Sequence, residues 1–145
     1  MYYLKSEQSF DSAHFLSDYQ GKCRNIHGHR WRVVIEIKSP VLQSQGPYKG
    51  MAVDFSKLKQ DIKEETGYFD HALILEAGTL KKEVLNGLTE GNFRYVEVEF
   101  TPTAEEFSKY FYYKIKKKGY EVVRAWVYET PHNCASYGED SCGTV

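Results

Sequence analysis

The chain has 145 residues, 41% of them hydrophobic and 27% charged, the balance of a soluble globular domain with one core. Its 19 basic and 20 acidic side chains leave a net charge of −1, too weak a field to collect polyanions, so nucleic acid is not an expected partner. No apolar run approaches the roughly 20 residues of a membrane span, MYYLKSEQSF lacks a signal-peptide core, and three cysteines make no disulfide framework, so a cytoplasmic location is expected.

In chain order, residues 2–12 read as an opening strand and residues 13–26 as a loop punctuated by Gly21. From His27 the β-branched and aromatic run WRVVIEIK predicts a strand ending at Ser39-Pro40. Residues 39–50 are turn-rich and read as a hairpin connection. MAVDF then leads into a helix with Asp54 as N-cap; Phe55, Leu58 and Ile62 recur at helical spacing, and the helix ends near Gly67. Residues 72–94, interrupted by Gly78, Gly87 and Gly91, predict short helical pieces and turns.

YVEVEF at 95–100 alternates as a strand. Thr103 and Glu106 form a capping box opening a second helix, whose stripe runs through Phe107, Tyr110, Phe111, Lys114 and Ile115 and closes at Gly119. The basic run Lys114 to Lys118 ends that helix, where positive charge complements its dipole. Residues 120–128 and 134–137 predict two further strands around a turn, with Cys134 and Cys142 as ordinary thiols. The order implies an α+β fold, helices on one side of a mostly antiparallel sheet, in one domain spanning 1–145 without repeats. Twelve tyrosines suit a partly wet pocket or a subunit interface, and equally a half-buried sheet.

The chemistry concentrates in KCRNIHGH. His27 and His29 on one strand point to the same face and can supply two imidazoles to one metal, with Gly28 keeping the opposite face open. His14, at the end of the first strand, is the candidate third ligand if the chain returns like a hairpin. Three histidines with one open position make a catalytic rather than a structural zinc site, although H-x-H pairs also occur on strand edges without a metal. Cys23 could be a fourth ligand, a nucleophile, a proton-transfer base or an inert thiol. Asp70-His71 could be a carboxylate-oriented proton-transfer pair, but neighbours on a strand diverge, so direct contact requires a turn. Glu129 can accept two hydrogen bonds from an amino-pyrimidinone edge, or be a solvated strand-end acid.

Six segments, FDSAHFL, KCRNIHGHRWRVVIEI, GMAVDFSKLKQDI, FDHALIL, PTAEEFSKYFYYKI and VYETPHNCASY, lie in order along nearly the whole chain. Together they resemble the 6-pyruvoyl-tetrahydropterin synthase superfamily, and the Cys-x3-His-Gly-His spacing resembles its 6-carboxy-5,6,7,8-tetrahydropterin synthase branch, from queuosine biosynthesis. The resemblance implies a tunnelling fold: a four-stranded antiparallel sheet with two helices on one face, joined edge to edge into barrels. It further implies a homo-oligomer, a hexamer of two trimers, with active sites at subunit interfaces.

By the same resemblance, His14, His27 and His29 match zinc ligands, Cys23 the catalytic cysteine, and Asp70 and His71 a proton relay. Glu129 matches a pterin anchor, and Thr103 and Glu105 a motif near the pterin pocket. The implied enzyme is a zinc-dependent lyase converting 7,8-dihydroneopterin triphosphate to 6-carboxy-tetrahydropterin, acetaldehyde and triphosphate, with no redox cofactor. Alternatives are a 6-pyruvoyl-tetrahydropterin synthase, which keeps the side chain, and a non-catalytic zinc- or pterin-binding module. An aldolase-type relative is disfavoured by Cys23, where such proteins carry glutamate. Residues 72–94 are longer than compact members of the branch imply, and no motif marks a triphosphate site among Lys22, Arg24, Arg30 and Arg32.

Overall fold

A computed structural model describes residues 1–139. Six strands and three α-helices follow in the order β1 (Tyr2–His14), β2 (His27–Ser39), α1 (Phe55–Gly67), β3 (Ala72–Glu76), α2 (Lys82–Glu90), β4 (Tyr95–Val98), α3 (Ala104–Lys117), β5 (Val122–Thr130) and β6 (Asn133–Tyr137). One sheet holds the strands in the order β4-β3-β1-β2-β5-β6. Neighbours from β1 through β2 and β5 to β6 are antiparallel, the expected four-stranded unit; β3 and β4 extend it as parallel strands on the β1 side.

β1 and β2 pair along their full lengths, from Tyr2 opposite Ser39 to His14 opposite His27. Because side chains alternate with period two, Phe10, Ser12 and His14 share a face with Trp31, His29 and His27. That face carries the core. Phe10, Trp31, Val33, Ile35 and Ile37 pack with Leu58 and Ile62 of α1 and with Phe107, Phe111 and Ile115 of α3. Of the stripe expected for the second helix, Phe107, Phe111 and Ile115 are buried together with Ser108 and Tyr112, while Tyr110 and Lys114 lie half-buried at the margin. The opposite, helix-free face carries ion pairs around Val34 and Trp126: Glu7 pairs with Arg32 at 2.8 Å, Asp11 with Arg30 at 3.0 Å, and Lys5 with Glu36 at 3.8 Å.

Helix starts follow the local chemistry. Asp54 accepts from the Ser56 N–H at 2.9 Å, capping α1. Thr103 accepts from the Glu106 N–H at 3.4 Å, but its own N–H donates to Thr101 O at 2.7 Å, so that donor is met by backbone rather than by the Glu106 side chain of a capping box. The basic end of α3 is tied down: Lys116 reaches Glu139 and Lys118 reaches Glu64, each at 2.6 Å.

The structure departs from expectation mainly between residues 39 and 94. The 39–50 connection makes no hairpin between strands. It folds on itself, with Gln43 and Met51 joined by a 2.9 Å backbone hydrogen bond, and delivers the chain to α1. ALILE, expected as turns or helical pieces, is β3, flanked by β1 and β4 and largely buried on both faces. Such parallel strands read as continuous apolar runs without alternation. The helical piece expected in this stretch is present as α2, a third helix with no buried residue. Among the described residues no helix is long and apolar enough to cross a membrane. Cys134 is an exposed thiol, and Cys142 lies outside the described residues.

Candidate active site

The site grows from the β1–β2 pairing. The connecting loop closes through Leu16 N–H on Cys23 O at 2.9 Å and a 3-10 turn at Lys22–Arg24, returning the chain antiparallel beside β1. His14 and His27 therefore stand opposite each other, and His29 shares their face one pleat further along. Their ring centroids are 4.6 to 5.1 Å apart, and one nitrogen from each of the three rings lies within 4.8 Å of the others. Trp31 forms the floor, meeting His14 and His29 edge to face at 5.0 and 5.4 Å.

Backbone carbonyls orient two of the rings. His14 Nδ1 meets Pro102 O at 2.7 Å, just before α3, and His27 Nδ1 meets Asn25 O at 2.7 Å. A carbonyl only accepts, so both Nδ1 atoms carry the proton and both Nε2 atoms present lone pairs. Those two Nε2 atoms face each other at 3.1 Å, an arrangement that needs a cation or a shared proton between them. Tetrahedral zinc with Zn–N of about 2.0–2.1 Å would set its nitrogens about 3.3 Å apart, close to this spacing. His29 Nε2 is buried without a hydrogen-bond partner among the described residues, the mark of a ligand atom. The donor set fits a metal.

Electrostatics agree. His14, 1% exposed, has its pKa lowered to about 4, mainly by burial; the Pro102 hydrogen bond opposes this, and His27 and His29 add to it. Burial also lowers His29, against the pull of Glu129 and with help from His27. Both rings are neutral near pH 7, as a metal ligand must be. Glu129 Oε1 lies 3.3 Å from His14 Nε2 and 3.5 Å from His29 Nε2, so this strand-end acid is turned onto the cluster.

The other expected residues are placed around this centre. Cys23 is half-buried in the loop between the first two histidines. Asp70 and His71 make the direct contact that a strand would forbid, Oδ2 to Nδ1 at 2.9 Å, because they sit in a turn with His71 at φ 54°. Hydrogen bonds to the β1 backbone fix the pair: Asp11 N–H donates to Asp70 Oδ1 at 2.9 Å, and His71 N–H donates to Asp11 O at 2.7 Å. The Asp11 N–H is the main reason that the Asp70 carboxyl is held below its ordinary range, with His71 and Arg94 contributing. No hydrogen bond links this pair to the histidine cluster among the described residues, and its side chains are 42% and 79% exposed.

Thr103 caps α3, and Glu105 lies exposed in that helix's first turn. Arg30 and Arg32 project from the face opposite the histidines and are paired with acids, leaving Lys22 and Arg24 on the site loop. Arg24 lines a polar cleft of about 930 Å³ with Phe15, Asp18, Tyr19, Asn25 and Leu80. At Gly28 an added Cβ would meet Ser12 O at 3.6 Å, ordinary contact, so within the chain the glycine is not a steric necessity. Sequence reasoning missed four contributors: the Trp31 floor, the Pro102 and Asn25 carbonyls, and Arg94. Only Trp31 carried a sequence signal, since it follows His29 by two on the same strand.

Comparison with known proteins agrees over nearly the whole chain. A 6-carboxy-5,6,7,8-tetrahydropterin synthase from Haemophilus influenzae is 33% identical over 144 residues, covering 96% of this chain and 100% of that protein. One from Aquifex aeolicus is 31% identical, covering 82% and 77%. In fold, the chain matches a 6-pyruvoyl tetrahydropterin synthase from Caenorhabditis elegans with TM-score 0.66 and 24% identity, covering 95% of each. An uncharacterized protein from Wolinella succinogenes matches with TM-score 0.73 and 20% identity, covering 96% and 98%. These likenesses identify the sheet and helices as the tunnelling fold. Residues 3–140 match the family described as 6-pyruvoyl tetrahydropterin synthase, and the chain belongs to that family.

Proposed function

We propose that this chain, residues 1–145 acting as one domain, is a zinc-dependent 6-carboxy-5,6,7,8-tetrahydropterin synthase. It takes 7,8-dihydroneopterin triphosphate and one water to 6-carboxy-tetrahydropterin, acetaldehyde and triphosphate, serving queuosine synthesis in the cytoplasm. The observation that carries this reading is the convergence of three histidine nitrogens, two of them with bare Nε2 atoms 3.1 Å apart. The names of the similar curated proteins support the choice of substrate and product.

His14, His27 and His29 would hold the metal, which supplies Lewis acidity toward side-chain oxygens. Cys23, as thiolate, takes a proton from the adjacent side-chain carbon. His71, oriented by Asp70, moves protons at the other end of the side chain. The oxidation-state changes stay within the substrate, so no redox cofactor is required.

The pterin's amino-pyrimidinone edge lies across the bicyclic ring from the side chain, so its anchor must stand away from the histidines. Glu105, exposed on the first turn of α3, is our candidate for it. Glu129, which the resemblance gives as the pterin anchor, has its carboxylate 3.3 and 3.5 Å from two histidine nitrogens, and that nearness supports a contact with the side-chain hydroxyls as well. Thr103 uses its hydroxyl to cap α3 and contributes by fixing that turn. Arg24 and its cleft are the natural place for the triphosphate.

The active unit is a homo-oligomer, a hexamer of two trimers, with sites completed between subunits. Two features support this: the solvent-facing Asp70–His71 pair, and the edges of β4 and β6, which pair with no further strand among the described residues. The test is product analysis of zinc-loaded protein with 7,8-dihydroneopterin triphosphate, beside Cys23→Ala. Acetaldehyde and 6-carboxy-tetrahydropterin from the wild type alone are expected. A 6-pyruvoyl product would reassign the chain to the side-chain-retaining activity. Absence of turnover in assembled, zinc-loaded protein would defeat both readings and leave a non-catalytic zinc or pterin module.

A further inference from the structure

Asp70 and His71 present a mechanical problem. Within the single chain their side chains are 42% and 79% exposed, so the chain's own packing does not define where the imidazole stands. His71 also occupies the left-handed backbone region, φ 54°, which a residue with a Cβ holds only when its surroundings impose it. The Asp70 carboxylate is fully engaged, with one oxygen on the Asp11 N–H of β1 and the other on the His71 ring. The remaining groups of the turn are its carbonyls.

Two of those carbonyls, Tyr68 O and Asp70 O, accept hydrogen bonds from the same side chain, Arg94, one on each terminal nitrogen. A guanidinium is a planar fork that can hold two oxygens at once, whereas an ammonium acts as a point charge. The base of the fork is itself secured, because Arg94 O accepts from Leu73 N–H at 3.1 Å and so joins the start of β4 to β3. Arg94 closes the segment around α2, whose helix buries no residue. That segment therefore meets the relay turn through Arg94 at its end.

We propose that Arg94 is a positioning residue for the Asp70–His71 pair: its guanidinium fork clamps the two turn carbonyls and so sets the imidazole's orientation. What the pair does in turnover rests on the pterin synthase reading; the clamp does not. Arg94 meets backbone oxygens of the turn and acts through His71.

The test uses full-length protein labelled with ¹⁵N-histidine, comparing wild type, Arg94→Ala, Arg94→Lys and His71→Ala, together with steady-state turnover of 7,8-dihydroneopterin triphosphate. With Asp70 on Nδ1, neutral His71 in the wild type should be the Nδ1-protonated tautomer. In both Arg94 variants the His71 signal should move to the mixed tautomers of a free imidazole. kcat should fall about 10- to 100-fold with KM changed less than about threefold, as for loss of positioning rather than of binding. Arg94→Ala added to His71→Ala should cost less than about twofold more, since the effect passes through a ring already removed.

An unchanged His71 tautomer in Arg94→Lys overturns the clamp, and so does full wild-type turnover by that variant, because charge alone would then suffice. Arg94→Lys keeps the cation and so covers the case in which Arg94→Ala does not fold. If the wild type turns nothing over, the enzyme reading fails and the tautomer alone decides the clamp.

Discussion

The two halves of the candidate site are built on different terms. The histidine half is internal: His14, His27 and His29 stand on two fully paired strands, Trp31 lies under His14 and His29, and backbone carbonyls orient His14 and His27. The half proposed as a relay is external: Asp70–His71 sits in an exposed turn, held by hydrogen bonds to β1 and by Arg94. Sheet pairing specifies position by the register of many residues at once, while a turn depends on a few bonds. A metal site needs its ligands fixed before the metal arrives. A proton relay can be left open on one chain and be covered by another.

The difference sets the size of each expected effect. His27→Ala removes a ligand from a site with no spare histidine, so bound zinc should fall from about one per chain to near none, and turnover by on the order of 10³ or more. Elemental analysis beside a turnover assay reads both. Next is acid. In the metal-free protein, His14 has a folded pKa of about 4 against an ordinary 6.5, so the unfolded chain binds the extra proton between those values. Stability conferred by the neutral ring is complete above pH 6.5 and is lost as the pH falls toward 4, by up to about 3 kcal/mol. Urea midpoints of metal-free protein at pH 7 and pH 4.5 should show the drop, and saturating zinc at pH 7 should raise stability further.

His71→Ala should lower kcat about 10²-fold, the scale of a lost proton-transfer group. It should leave zinc content unchanged and shift stability by less than about 0.5 kcal/mol, because the side chain is exposed. Loss of zinc in that variant would show that the two halves are coupled within one chain.

What was legible in the sequence follows the same division. Alternation along HGHRWRVVIEI is local, so the shared face of His27, His29 and the core could be read before the fold was known. The same alternation puts Arg30 and Arg32 on the other face, where the structure pairs them with Asp11 and Glu7. β3 was obscured because burial on both faces erases the period. The carbonyls of Asn25 and Pro102 belong to the main chain, and no residue type announces them. Contact between Asp70 and His71 depends on one backbone angle, and the Arg94 fork on a turn 24 residues away.

The division between the halves is tested most directly by complementation. His27→Ala and His71→Ala chains, each inactive or nearly so alone, would be co-assembled in equal amounts and assayed for turnover. If the metal half of one subunit works with the relay of its neighbour, random assembly restores about a quarter of wild-type sites. Activity that stays at the level of the separate variants in verified mixed assemblies would place both halves of each site in one chain and contradict the account.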